Sequence, residues 1–126
     1  MSSSFRDLQV WQRGMDIVET VYRISGEFPK TETYGLTGQL RRAAVSVPSN
    51  IAEGHARSST KEYLHHISMA QGSLAELETQ LEVAARLKYV GAEELAHVQE
   101  ECIYLGRQLY QLRDALLNRL RPVPDP

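Results

Sequence analysis

Residues 36–57 read LTGQLRRAAVSVPSNIAEGHAR. Leu36, Leu40, Ala43, Val47, Ile51 and Gly54 recur at intervals of three and four, which places them on one face of a helix turning about 100° per residue. Beside that face runs a polar stripe with the same spacing: Gln39, Arg42, Ser46, Asn50, Glu53 and Arg57. The other flank holds Ala44, Val45, Pro48 and Ala52, with Arg41 as its one charge. A helix with so little ordinary solvent face is expected to make two contacts, one inside its own bundle and one with another chain. Pro48 removes the bond to the Ala44 carbonyl and costs about 3 kcal/mol in an unstrained helix. A kink is therefore expected, with the carbonyls near Ala44 and Val45 satisfied by Ser46, Asn50 or a partner's side chain. Two settings fit such a segment. The kink packs against the first helix, or it shapes an oligomer surface on which Arg42, Asn50, Glu53 and Arg57 pair across subunits.

The same period runs along the rest of the chain. Leu8, Trp11, Met15, Val18 and Tyr22 form a first block. A third runs Tyr63, Ile67, Ala70, Leu74, Leu77, Leu81 and Ala84, and a fourth Leu95, Val98, Cys102, Leu105, Leu109, Leu112 and Leu116. Alternating three-four spacing is the seam of helices packed nearly parallel to one another's axes, and no segment alternates every second residue as a strand would. Phe28-Pro29, Gly54 to Ser59 and Tyr89-Val90-Gly91 divide the blocks, and Pro122, Pro124 and Pro126 follow the last. Ser59 with Glu62 three residues on reads as a capping box. Links this short favour antiparallel neighbours, so the expected fold is all-α: an antiparallel up-down-up-down four-helix bundle with a proline-kinked second helix. Residues 1–126 are expected to form one domain with disordered ends at about 1–4 and 121–126. Gly72, mid-helix in AQGSLAELE, is expected to admit close approach of another helix.

Composition narrows the function classes. With 126 residues, a net charge of −2 and a pI near 6.1, the chain has no overall basicity advertising nucleic acid or membrane. Cys102 is the sole cysteine, which excludes an intramolecular disulfide and a cysteine-rich metal site, and its apolar setting reads as a buried, inert thiol. Met1–Ser4 leads straight into Phe5-Arg6-Asp7 with no apolar run, and no stretch approaches a membrane span. A soluble cytoplasmic protein is the expectation.

Catalytic chemistry finds little footing. Glu62/His65 and Glu94/His97 have the Glu-x-x-His spacing of di-iron carboxylate bundles. Both pairs, however, start their helices, and antiparallel packing separates those starts by roughly 35–40 Å. Glu53 lacks a neighbouring nucleophile and reads as a partner of Arg57 or Arg42. No phosphate-binding glycine loop, nucleophile elbow or Cys-His pairing is present. The expectation is a protein that is not an enzyme and has no cofactor or metal.

FRDLQVWQRG, FPKTETYGLTGQLRRAAVSVPSNIAEG and AQGSLAELETQLEVAARL together resemble the 23S rRNA intervening-sequence proteins, over roughly Phe5 to Leu116. The resemblance implies a four-helix protomer, a homopentameric ring with a central channel, and a biochemical role that is unassigned. The same fold includes the accessory variability determinant proteins of diversity-generating retroelements, for which it implies binding of a reverse transcriptase and of RNA or DNA. Those relatives are strongly basic and this chain is mildly acidic. Its cations nevertheless cluster locally: Arg41, Arg42, Arg57 and Lys61 near the second helix, and Arg107, Arg113, Arg119 and Arg121 along the fourth. Two expectations follow. The chain is a homo-oligomeric scaffold whose interface uses Gln39, Arg42, Ser46, Pro48, Asn50, Glu53 and Arg57, or a nucleic-acid-binding accessory acting through those two basic groups.

Overall fold

The computed structural model describes residues 4–122. Four α-helices account for most of them: α1 (Gln9–Ser25), α2 (Leu36–Ala56), α3 (Thr60–Arg86) and α4 (Ala92–Arg119). Short 3-10 turns at Phe5–Asp7 and Lys30–Glu32 precede α1 and α2. Among the described residues there is no strand. Residues 1–3 and 123–126, where most of the expected disorder falls, lie outside the described part. Ser4 lies inside it, and its hydroxyl accepts the Arg6 amide to cap the first turn.

Cross-helix contacts fix how the helices run. Gly14 meets Pro48 while Ser25 meets Arg41, so α1 and α2 point in opposite directions. Ser46 meets Ser73 and Asn50 meets His66, which reverses α3 against α2. Gln99 reaches Glu82 and Gly106 lies over Leu74, which reverses α4 against α3. Arg13 closes the circle from α1 to α4, donating to Gln108 at 3.1 Å and to Glu101 at 3.0 Å while its guanidinium lies over the Tyr104 ring.

The seams of α2, α3 and α4 bury their three-four residues, with Leu40, Ile51, Ile67, Leu77, Leu81, Val98, Cys102, Leu105, Leu109 and Leu116 fully enclosed. Helix α1 differs by one position. Its buried line is Val10, Gly14, Ile17, Val21 and Ile24, whereas Met15 and Tyr22, placed on the core by spacing alone, face solvent. Two apolar stripes run side by side on α1, and the deeper one contains a glycine that carries no apolar signal.

The connections are specified locally. Ser59 caps α3 by accepting the Glu62 amide at 3.1 Å, the expected half of a capping box. At the other end of α3, Lys88 takes a positive φ of 67°. The Tyr89 amide then bonds the Ala84 carbonyl and the Lys88 amide the Ala85 carbonyl, the paired bonds of a Schellman stop. That turn aims Tyr89 at the α1–α2 connection, where its ring packs on Phe28 and its hydroxyl donates to Glu32 Oε2 at 3.0 Å. Glu32 Oε1 in turn accepts the Leu36 amide, the first of α2. The hydrogen bond to Glu32 is also what raises the Tyr89 phenol above its ordinary pKa.

Candidate functional site in the second helix

α2 carries Pro48 within an unbroken helical span. The expectation that another chain covers the Ala44–Pro48 flank is corrected by the fold: both residues are buried within the protomer. The covering element is α1. A Cβ placed on Gly14 would sit 3.3 Å from Pro48 Cβ and 3.5 Å from its Cδ, so the proline ring fills the space that a side chain at residue 14 would need. Ring-on-backbone packing of this kind offsets part of the lost hydrogen bond. Sequence reasoning passed over Gly14, although a glycine in a helix interior is itself a signal of close approach.

The polar stripe is also largely consumed inside the protomer. Asn50 is buried, its amide donating to the Ser46 carbonyl at 2.9 Å and to the Ser46 hydroxyl at 3.0 Å. Ser46 shares a 2.8 Å hydrogen bond with Ser73 of α3. On the other side of Asn50, Oδ1 lies 3.3 Å from His66 Nδ1 and accepts from it in the tautomer that protonates that nitrogen. Glu53 Oε2 stands 3.7 Å from the same nitrogen and 3.9 Å from Arg57. So Ser46, Asn50 and Glu53 form, with Ser73 and His66, a polar seam between α2 and α3. Of the groups expected to satisfy the Ala44 and Val45 carbonyls, Asn50 serves Ser46 instead. Just below this seam Gly54 is pressed against α3: a Cβ there would lie 2.8 Å from His66 Cβ and 2.9 Å from Tyr63 Cδ1. Gln39 and Arg42 remain exposed.

The arginines are not gathered on one face. Arg41 is spent on the end of α1, where Nε donates to Ser25 Oγ at 2.8 Å, Nη2 donates to the Tyr22 carbonyl at 3.3 Å, and the guanidinium lies 4.5 Å from the Tyr22 ring centroid. Arg57 is paired with Glu53, and Lys61 is exposed at the start of α3. On α4, Arg107, Arg113 and Arg119 stand about 120° apart around the axis, so they point in three directions. Arg119 faces Tyr63, whose phenol is raised by burial and partly lowered again by that charge. Arg121 is exposed beyond the helix.

Metal and thiol chemistry have little to work with. Among the described residues no three His, Cys, Asp or Glu side chains converge on a point. His97 sits 3.8 Å from Glu101, one turn along the same helix, and Glu62 and His65 are exposed. Cys102 is fully buried, and burial, with Glu78 and Glu101 nearby, pushes its thiol up to about 12. A thiol held so far from ionisation is a poor nucleophile.

Gly72 departs from expectation. Among the described residues no helix approaches it, and a Cβ there would meet nothing within 4 Å. It lies exposed beside Ser73, with Met69 one turn away and 45 % exposed.

Fold and contacts together define an all-α domain, a four-helix bundle in which the buried Asn50 and Ser25 join helix to helix. Residues 6–111 match the family model of the 23S rRNA-intervening sequence protein, and the chain belongs to that family. The bundle also resembles the crystal structure of a protein of unknown function from the S23 ribosomal protein family of Bacteroides thetaiotaomicron. The two are 16 % identical with a TM-score of 0.77, over 82 % of this chain and 97 % of that one, a likeness of fold. No curated protein matches the chain in sequence. No helix among the described residues is long and apolar enough to cross a membrane.

Proposed function

We propose that the chain is a non-enzymatic scaffold that assembles with copies of itself through the outer face of α2 and α3. The observation that carries this reading is the open side of Gly72. A glycine in the interior of a 27-residue helix costs about 1 kcal/mol relative to alanine, and nothing among the described residues makes use of its missing side chain. Close approach by a second copy supplies the use. Exposed Met69 stands one turn from the spot, and Ser73 beside it is tied to Ser46 of α2, so the surface is partly apolar. Five copies is the number the family resemblance implies.

Light scattering on the eluting protein tests the proposal. The expected mass is a multiple of the 14.2 kDa protomer at micromolar concentration. Gly72→Leu and Met69→Glu should each reduce it while leaving helicity intact, and Glu93→Ala should not. A wild-type protein eluting at protomer mass refutes the scaffold. The rival role in nucleic-acid binding draws no support from arginines that point apart. A salt-sensitive RNA mobility shift at about 50 mM salt, lost on replacing Arg107, Arg113 and Arg119, would reinstate it.

A further inference from the structure

The hairpin of α1 and α2 encloses an open groove of about 610 Å³ against the Phe28–Thr33 connection. Lys30, Arg41 and Arg42 all line it, and no Asp or Glu does. In a chain with 16 acidic and 14 basic residues, three cations without a carboxylate among them is an uneven distribution. Among the described residues, neither Lys30 nor Arg42 makes an ion pair, and Arg41 is fixed by neutral oxygens and the Tyr22 ring, with no carboxylate on it. The carboxylate in the same connection, Glu32, is occupied by the Leu36 amide and the Tyr89 hydroxyl. The positive field of the groove is thus left uncompensated.

Two further features point to an anion. Thr37 is 7 % exposed and lines the groove, where its hydroxyl is a neutral donor. Thr37 and Gly38 also occupy the first turn of α2, where backbone amides lack partners within the helix and the dipole favours negative charge. Gly38 keeps that turn bare: a Cβ there would press within 3.1 Å of both Arg42 Nη1 and the Thr33 carbonyl. Pro29 and Val45 give the groove apolar walls.

We propose that the groove binds a small organic phosphate, its anionic head held by Lys30, Arg41, Arg42 and the Thr37 hydroxyl and its apolar or aromatic body resting on Pro29 and Val45. A guanidinium anchored by neutral acceptors and a second, freely placed one suit a phosphate, which presents oxygens in several directions. The size matches a mononucleotide-sized ligand. A polymer would need the cations to continue as a track, and those of α4 point elsewhere.

The test uses the full chain in its assembled state, with adenosine 5′-monophosphate, inorganic phosphate and adenosine as probes. Calorimetry and amide chemical-shift mapping should show the monophosphate moving the Thr37 and Gly38 amides. Adenosine should leave them unmoved, and inorganic phosphate should bind more weakly than the ester. Lys30→Ala and Arg42→Ala should each weaken the monophosphate about ten-fold while the melting temperature holds, since both side chains are exposed and make no ion pair among the described residues. Unmoved amides with about 10 mM of either phosphate would overturn the site, as would binding unchanged in the double variant. Inorganic phosphate binding as tightly as the ester would overturn the role of the apolar walls. A protomer-mass result in light scattering would leave this site standing, because all its residues come from one chain.

Discussion

Gly54→Ala tests the tightest of the interhelical glycine contacts. The new methyl would start 2.8 Å from His66 Cβ, 2.9 Å from Tyr63 Cδ1 and 3.3 Å from the Tyr63 carbonyl, where ordinary contact begins at 3.4 Å. His66 Cβ and the Tyr63 carbonyl belong to the α3 backbone or adjoin it, so no rotamer change relieves the clash. The helices must part by some tenths of an ångström, and the Asn50–His66 contact at 3.3 Å parts with them. Overpacking of this kind costs about 1–3 kcal/mol. Alanine returns part of that through helix propensity, at most about 1 kcal/mol and less near a helix end. The expected net loss is about 1–2 kcal/mol. With an unfolding entropy near 2.1 cal/mol/K per residue, a chain of 126 residues should melt about 4–8 °C lower. Thermal and urea unfolding followed by circular dichroism would measure it. Gly106→Ala is the matched control, because a Cβ there makes an ordinary 3.7 Å contact with Leu74 and should raise stability by about 1 kcal/mol. If Gly54→Ala is as stable as wild type while Gly106→Ala gains, steric contact between α2 and α3 does not explain the glycine.

Three other outcomes follow from the same contacts. Lys88→Gly should stabilise the protein by about 1 kcal/mol, because the left-handed conformation of Lys88 is one that glycine adopts without strain; a loss in urea midpoint would contradict this. Asn50→Ala should lower stability by about 1–3 kcal/mol by stranding Ser46 and His66 in the α2–α3 seam, and Ser46→Ala combined with it should cost less than the two changes added. Cys102 should resist thiol reagents until the protein unfolds. Its folded pKa, near 12, exceeds the ordinary 9.0, so its contribution to stability is complete below about pH 9 and is lost as pH climbs toward 12. Cys102→Ala should flatten that alkaline decline, measured as urea midpoint against pH.

The helical blocks were legible because burial in a bundle repeats every three or four residues, and long seams such as Leu74 to Ala84 and Val98 to Leu116 carry that period redundantly. α1 was harder. Met15 and Tyr22 extend an apolar line as regular as the true one, and Gly14, at the centre of the buried line, counts as nothing in a hydropathy pattern. The polar stripe of α2 was visible as a stripe, yet its destination was not. Whether Ser46 and Asn50 face a neighbouring helix or a neighbouring subunit depends on where Ser73 and His66 come to rest, 27 and 16 residues away. Gly72 and Gly54 look alike as letters, and only the fold shows one facing open space and the other pressed against α3. The bond from Tyr89 to Glu32 spans 57 residues and has no local signature at all.

That same bond makes the two ends of the bundle unequal. At one end, the α3–α4 turn is clasped to the α1–α2 connection through Tyr89, Phe28 and Glu32. At the opposite end lie the start of α1, the exposed turn at 57–59 and the finish of α4, with no comparable clasp among the described residues. Amide exchange should therefore begin where the chain enters and leaves, and advance from there toward the tyrosine. A tag or a fused domain belongs at that loose end, where it leaves the phosphate groove undisturbed.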